Sequence, residues 1–120
     1  MSGSGHLLDE RTRRLAANEA IFREVNERIE QLNRAFAAAG EVALEIVCEC
    51  GEMACTTRLS VPTATYERVR ADAALFFVIP GHEDLGLEDV VEPGETSFTV
   101  VRKHAGPARA IANATDPRAA

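Results

Sequence analysis

Four residues in this chain have the types and spacing for chemistry. All three cysteines fall within one eight-residue window, Cys48-Glu49-Cys50-Gly51 and then Cys55, and Pro80-Gly81-His82 follows downstream. Three thiolates and one imidazole are the ligand inventory of a tetrahedral, structural zinc site. In an extended strand, residues two apart point the same way, so Cys48 and Cys50 can reach one ion. Gly51 has no Cβ and lets the chain turn sharply towards it. Cys55 then returns from the loop, and the Pro80-Gly81 turn aims His82 back at the knuckle. This requires the strand at 76–79 to lie beside the strand at 42–50. The expected metal ligands are therefore Cys48, Cys50, Cys55 and His82, binding one zinc per chain.

Other fates for these residues compete with that one. Buried cysteines often serve only as small apolar side chains. An exposed Cys-x-Cys pair can act as a redox switch, although Glu49 and Glu52 disfavour the thiolate. A catalytic zinc would keep three thiolates and an open position, with Glu83 as general base and His82 standing behind the ligands. The sequence has neither His-Glu-x-x-His nor the deaminase pattern of His-x-Glu with Pro-Cys-x-x-Cys. For nucleophilic cysteine catalysis only His6, His82 and His104 are on offer, with no evident orienting partner. A structural zinc is the stronger reading.

The elements that must position these residues begin with a helix at 9–40. Leu15, Phe22, Val25, Ile29, Leu32 and Phe36 recur in steps of seven, three, four, three and four, with Asn18 in the missing position. That is the a/d spacing of a coiled coil. Asp9–Arg13, Glu10–Arg14, Glu19–Arg23, Glu24–Arg28 and Glu30–Arg34 are acidic-to-basic pairs four apart, the favoured orientation. Gly40 sits where a C-cap glycine belongs. The stripe is expected either to cover the protein's own sheet or to dock a partner helix.

Residues 42–50 alternate, with Leu44, Ile46, Cys48 and Cys50 on one face and Glu45 and Glu49 on the other, as in a half-buried strand. A second strand is expected at 58–61. A short helix follows at 63–72, with Thr63 as N-cap and Tyr66 and Val69 facing inward. Further strands are expected at 76–79, 88–92 and 97–103, with Pro93-Gly94 as a turn. The tail is expected to form a weak helix at 108–114 and then a loose end. Arg68 and Arg70 read as solvated. The result is an α+β fold: a long N-terminal amphipathic helix, then a small, mostly antiparallel sheet with one short helix and a zinc knuckle. The expected layout is a flexible leader (1–8), the helix (9–40), a zinc-binding α+β domain (41–105) and an Ala/Pro-containing tail (106–120).

Composition bounds the partners. Hydrophobic residues are 46% of the chain but aromatics only 5%, with no Trp. A core this thin often needs a metal or a partner as a staple. Residues 41–105 carry five basic and twelve acidic side chains, so this segment accounts for more than the whole net charge of −6. Such a domain repels phosphate backbones and disfavours nucleic acid. No apolar run is long enough to span a membrane. The N-terminus lacks the basic start and apolar core of a signal peptide. Three cysteines do not make a disulfide framework, and a reducing cytoplasm is the natural setting. Asp84, Glu88, Asp89, Glu92 and Glu95 form an acidic stretch, either a solvated face or a dock for a basic partner.

The segments Asn18–Ile29, Cys48-Glu-Cys-Gly51 with Cys55, Tyr66-Glu-Arg-Val-Arg70, Phe77-Val-Ile-Pro-Gly-His-Glu83 and Val100-Val-Arg-Lys103 resemble a group of small, uncharacterised actinobacterial proteins. The resemblance runs from about residue 15 to 118. It implies no activity, only that the thiols, the histidine and the leading helix belong to one unit. The expectation is a non-enzymatic cytoplasmic domain that binds a protein partner, either through the helix at 15–36 or through the acidic face at 83–95. A homodimer is one form of that. A thiol/zinc redox sensor that releases its helix on oxidation is the second reading, and a small zinc hydrolase the third.

Overall fold

The computed structural model describes residues 3–36, 43–55, 57–93 and 97–119, with the side chains of the first helix described over 10–34. The order is α1 (Gly3–Phe36), β1 (Ala43–Val47), β2 (Arg58–Pro62), α2 (Thr63–Arg70), β3 (Leu75–Val78), β4 (Glu88–Glu92), β5 (Thr99–Lys103) and α3 (Pro107–Ala114). The α+β architecture is as expected. α1 starts at Gly3, six residues ahead of the anticipated Asp9. The expected cap at Gly40, the Pro93-Gly94 turn at its glycine, Glu95, and the side chains of His6, Asp9 and Phe36 lie outside the described residues.

The strands form two antiparallel sheets. β1 pairs with β2, with Leu44 opposite Val61 and Ile46 opposite Leu59. The other sheet runs β3-β5-β4, with a register shift between Val90 and Glu92. Alternation in β1 and β2 places Leu44, Ile46, Leu59 and Val61 inward. β3 is buried along its whole length. The few aromatics are concentrated at the centre, where Tyr66 stacks on Phe77 and Phe98 meets Phe77 edge-on, both at 5.7 Å between centroids. Thr63 does not cap α2: no side-chain cap hydrogen bond forms, and its hydroxyl is buried without a partner.

The main departure from expectation is in α1. Its buried face is not the apolar stripe but Ala16, Glu19, Arg23, Asn26, Glu27 and Glu30. At about 100° per residue, this face is rotated from the a/d line by roughly a third of a turn. Glu19 and Arg23 are thus not a surface pair. Arg23 donates to the carbonyls of Ala73 and Ala112 at 2.7 and 2.8 Å and to Thr115 Oγ1 at 3.0 Å, and lies over the Phe76 ring. Glu19 pairs with buried Lys103 at 2.8 Å, and Lys103 also binds Glu88. The helix docks by satisfying polar groups of β5, the α2–β3 turn and α3, work that an apolar face cannot do.

Candidate metal centre

The hairpin between β1 and β2 carries three of the four expected ligands. The Cys48 amide donates to the Thr57 carbonyl at 3.0 Å and the Cys55 amide to the Glu52 carbonyl at 2.9 Å, which closes a compact loop. Gly51 turns this loop at φ +83°. The fourth ligand comes from beyond β3. There the His82 amide donates to the Ile79 carbonyl at 2.8 Å across a turn with Gly81 at φ +95°.

β3 and β1 belong to different sheets, contrary to the expected pairing. The contact is made instead by the stretch just after β1. The Glu49 amide donates to the Phe77 carbonyl at 2.8 Å, and the Ile79 amide donates to Cys48 Sγ at 3.2 Å. These two bonds bring the hairpin to the end of β3, and with it His82.

All four predicted residues converge. The sulfurs of Cys48, Cys50 and Cys55 and a ring nitrogen of His82 lie within 4.8 Å of one another. His82 Nδ1 is 3.6 Å from both Cys48 Sγ and Cys55 Sγ. For a tetrahedral ion with bonds of about 2.3 Å to sulfur and 2.05 Å to nitrogen, that edge is about 3.6 Å. The residues can therefore hold a metal ion. Cys48 is buried, Cys50 and Cys55 are half-buried, and His82 is exposed.

Protons are unevenly held in this cluster. A hydrogen bond with Cys48 holds the Cys50 thiol well below its ordinary range, against the effect of burial, and the Glu52 amide, His82 and Cys55 assist. The same bond, together with burial, pushes the Cys48 thiol up. A soft cation would displace the shared proton and take the sulfurs as thiolates.

Three residues that support this centre were not legible in the sequence. Glu49, expected on the solvent face, is fully buried. Its carboxylate accepts from Asn26 Nδ2 at 2.7 Å, the Phe77 amide at 2.9 Å and Arg70 at 2.7 Å. Arg70, expected to be solvated, is buried over Tyr66 and Phe77. Asn26 also donates to the Val47 carbonyl and accepts from the Val47 amide, both at 2.8 Å, as a neighbouring strand would. The residues between and before the ligands are thereby fixed to α1, α2 and β3 together.

Other candidates are used elsewhere. Glu83 accepts from the Gly81 amide at 2.9 Å, within its own turn. His104 pairs with Asp89 at 3.1 Å, away from the cluster. In the acidic stretch, Glu88 is buried against Lys103, Asp84 meets Arg11 and Glu92 meets Arg68. No helix among the described residues is long and apolar enough to cross a membrane. No family model, curated protein or solved structure matches the chain.

Proposed function

We propose that Cys48, Cys50, Cys55 and His82 bind one structural zinc ion, and that the chain is a non-enzymatic cytoplasmic domain whose work is protein–protein interaction through α1. The observation that supports this reading is the convergence of four protein donors within 4.8 Å of one another, two of the imidazole–sulfur edges being 3.6 Å. Thiolate and imidazole donors select zinc among abundant cations. Four protein ligands fill its shell, so a reacting water has no coordination position. Glu83, the one candidate base, is engaged by a backbone amide. The acidic face is a poorer docking surface than α1, because Asp84, Glu88, Asp89 and Glu92 each already face a cation or histidine.

Metal analysis of the purified chain should find one zinc per molecule, and chelation should cost the β1–β2 hairpin its protection from hydrogen exchange. A stable fold at substoichiometric zinc, unchanged by chelator, overturns the reading. The exposure of His82 and the partial exposure of Cys50 and Cys55 favour one second reading, a thiol/zinc redox sensor. Dilute peroxide would then release zinc and loosen α1, and zinc retention under that treatment excludes it.

A further inference from the structure

The four candidate ligands are not held alike. Each sulfur has a partner behind it. Cys48 Sγ accepts from the Ile79 amide at 3.2 Å, Cys50 accepts from the Glu52 amide, and Cys55 Sγ lies 3.8 Å from Thr57 Oγ1. The backbone around the first two thiols is tied to three other elements. Asn18 of α1 donates to the Gly51 carbonyl at 3.0 Å, Asn26 of α1 and Arg70 of α2 hold the Glu49 carboxylate, and the Glu49 amide reaches Phe77 of β3.

His82 has none of this support. Its Nδ1 faces the sulfurs, while Nε2 has no hydrogen-bond partner among the described residues. A histidine that ligates a metal ordinarily donates its second ring nitrogen to a carboxylate or carbonyl, which fixes the ring. The adjacent carboxylate, Glu83, is spent on the Gly81 amide at 2.9 Å. The His82 amide bonds only to the Ile79 carbonyl, so the turn that carries the imidazole is tied to its own neighbours in sequence. Pro80, Gly81 and His82 are all exposed, and a Cβ on Gly81 would meet nothing within 4 Å. The imidazole can leave the cluster without disturbing a packed neighbour, and the thiols cannot.

We infer that His82 is the release ligand of this centre: a low-molecular-weight thiol displaces its imidazole from the ion while Cys48, Cys50 and Cys55 stay bound, and metal enters and leaves by that side. This rests on the reading of the four residues as a metal site. In the exchange, the metal–nitrogen bond breaks, a metal–sulfur bond forms, and the proton of the thiol passes to the freed imidazole. No sulfur is oxidised and no oxidant is consumed. A thiol is the fitting newcomer because an ion soft enough for three thiolates accepts a fourth. The hairpin keeps its bonds to α1, α2 and β3 throughout, so the staple can be emptied and refilled from one side.

The test uses the full chain loaded with cobalt(II), whose visible spectrum separates three sulfurs and one nitrogen from four sulfurs, and 2-mercaptoethanol as the thiol. Titration should convert the first spectrum into the second and saturate, with the circular dichroism spectrum unchanged. A chelator should then remove the ion at least roughly tenfold faster, because an untethered donor leaves more readily than a tethered one. His82→Cys should show the four-sulfur spectrum from the outset and ignore the thiol. Its fourth sulfur is tethered, so it should release the ion at least roughly tenfold more slowly than the thiol-treated wild type. His82→Ala should take up the thiol at lower concentration than the wild type. A cobalt-loaded wild type whose spectrum the thiol does not move overturns the inference. So does a His82→Cys chain that releases its ion as fast as the thiol-treated wild type, or a loss of the circular dichroism signal during exchange, which would mean that the cysteines leave. A chain that binds neither zinc nor cobalt overturns the metal reading itself, and this inference with it.

Discussion

Glu49 and Arg70 meet at 2.7 Å with both side chains sealed from solvent. The carboxylate sits between two of the candidate metal ligands in the chain, and the guanidinium spans Tyr66 and Phe77. Removing one member of such a pair leaves a charge buried without compensation. Arg70→Met should therefore lower the stability of the metal-loaded protein by roughly 3–5 kcal/mol in urea unfolding. The double variant Glu49→Gln with Arg70→Met should lose at least about 1 kcal/mol less than the two single losses together. Strict additivity would show that the pair is not a unit.

Glu19 offers a pH signature. Burial raises its carboxyl to about 7 from 4.5, against the pull of Lys103, with Glu88 and Cys50 adding to the rise. Between those two values the folded protein holds a proton that the unfolded chain has lost. The stabilisation is complete below about pH 4.5 and is lost as pH rises through 7. From pH 6 to 8 the wild type should lose about 1 kcal/mol relative to Glu19→Gln, which does not titrate. Parallel stability profiles for the two proteins would mean that Glu19 is already ionised at pH 6.

These two sites depend on contacts that local sequence signals do not encode. The presence of the strands and the clustering of Cys48, Cys50, Cys55 and His82 were legible because alternation, turn residues and metal-ligand spacing are local signals, although β1 ends at Val47 and leaves Cys48 and Cys50 beyond the strand expected to carry them. The docking face of α1 was not. Its apolar residues suggested a core-facing stripe, yet the core side is built from Glu19, Arg23, Asn26, Glu27 and Glu30. Asn26 and Arg23 are inward because of partners 21 to 92 residues away, Val47 for Asn26 and Thr115 for Arg23. No window along the chain contains that information. Glu49 is the same case: period two put it outward, and three long-range donors drew it in.

The C-terminal tail, expected to be loose, is tied at Arg118. Its guanidinium binds Glu27 and Glu67, both at 2.8 Å, across α1 and α2. Its hydrogen bond is the chief favourable influence that holds the Glu67 carboxyl below its usual range, against the effect of burial. Arg118→Ala should cost roughly 1–2 kcal/mol and speed trimming of the tail by carboxypeptidase. In an NMR titration the Glu67 carboxyl should move upward. A Glu67 resonance that titrates as before would mean that the clamp does not persist in solution.

Gly51 tests how closely the hairpin must approach α1. A Cβ there would lie 3.0 Å from Glu19 Cγ and 3.1 Å from the Leu15 carbonyl oxygen, which belongs to the helix backbone. Gly81, also at positive φ, has nothing within 4 Å of the same added atom. Gly81→Ala therefore bears only the left-handed backbone cost, about 1–2 kcal/mol. Gly51→Ala bears that cost and a clash with the element that carries Asn18, Glu19 and Asn26. Both substitutions adjoin the candidate metal centre, so backbone strain alone would affect metal affinity equally. Competition with a chelator should show Gly51→Ala losing at least roughly tenfold more affinity than Gly81→Ala, because folding and metal binding are coupled. Equal losses would show that the knuckle holds its shape without leaning on the helix.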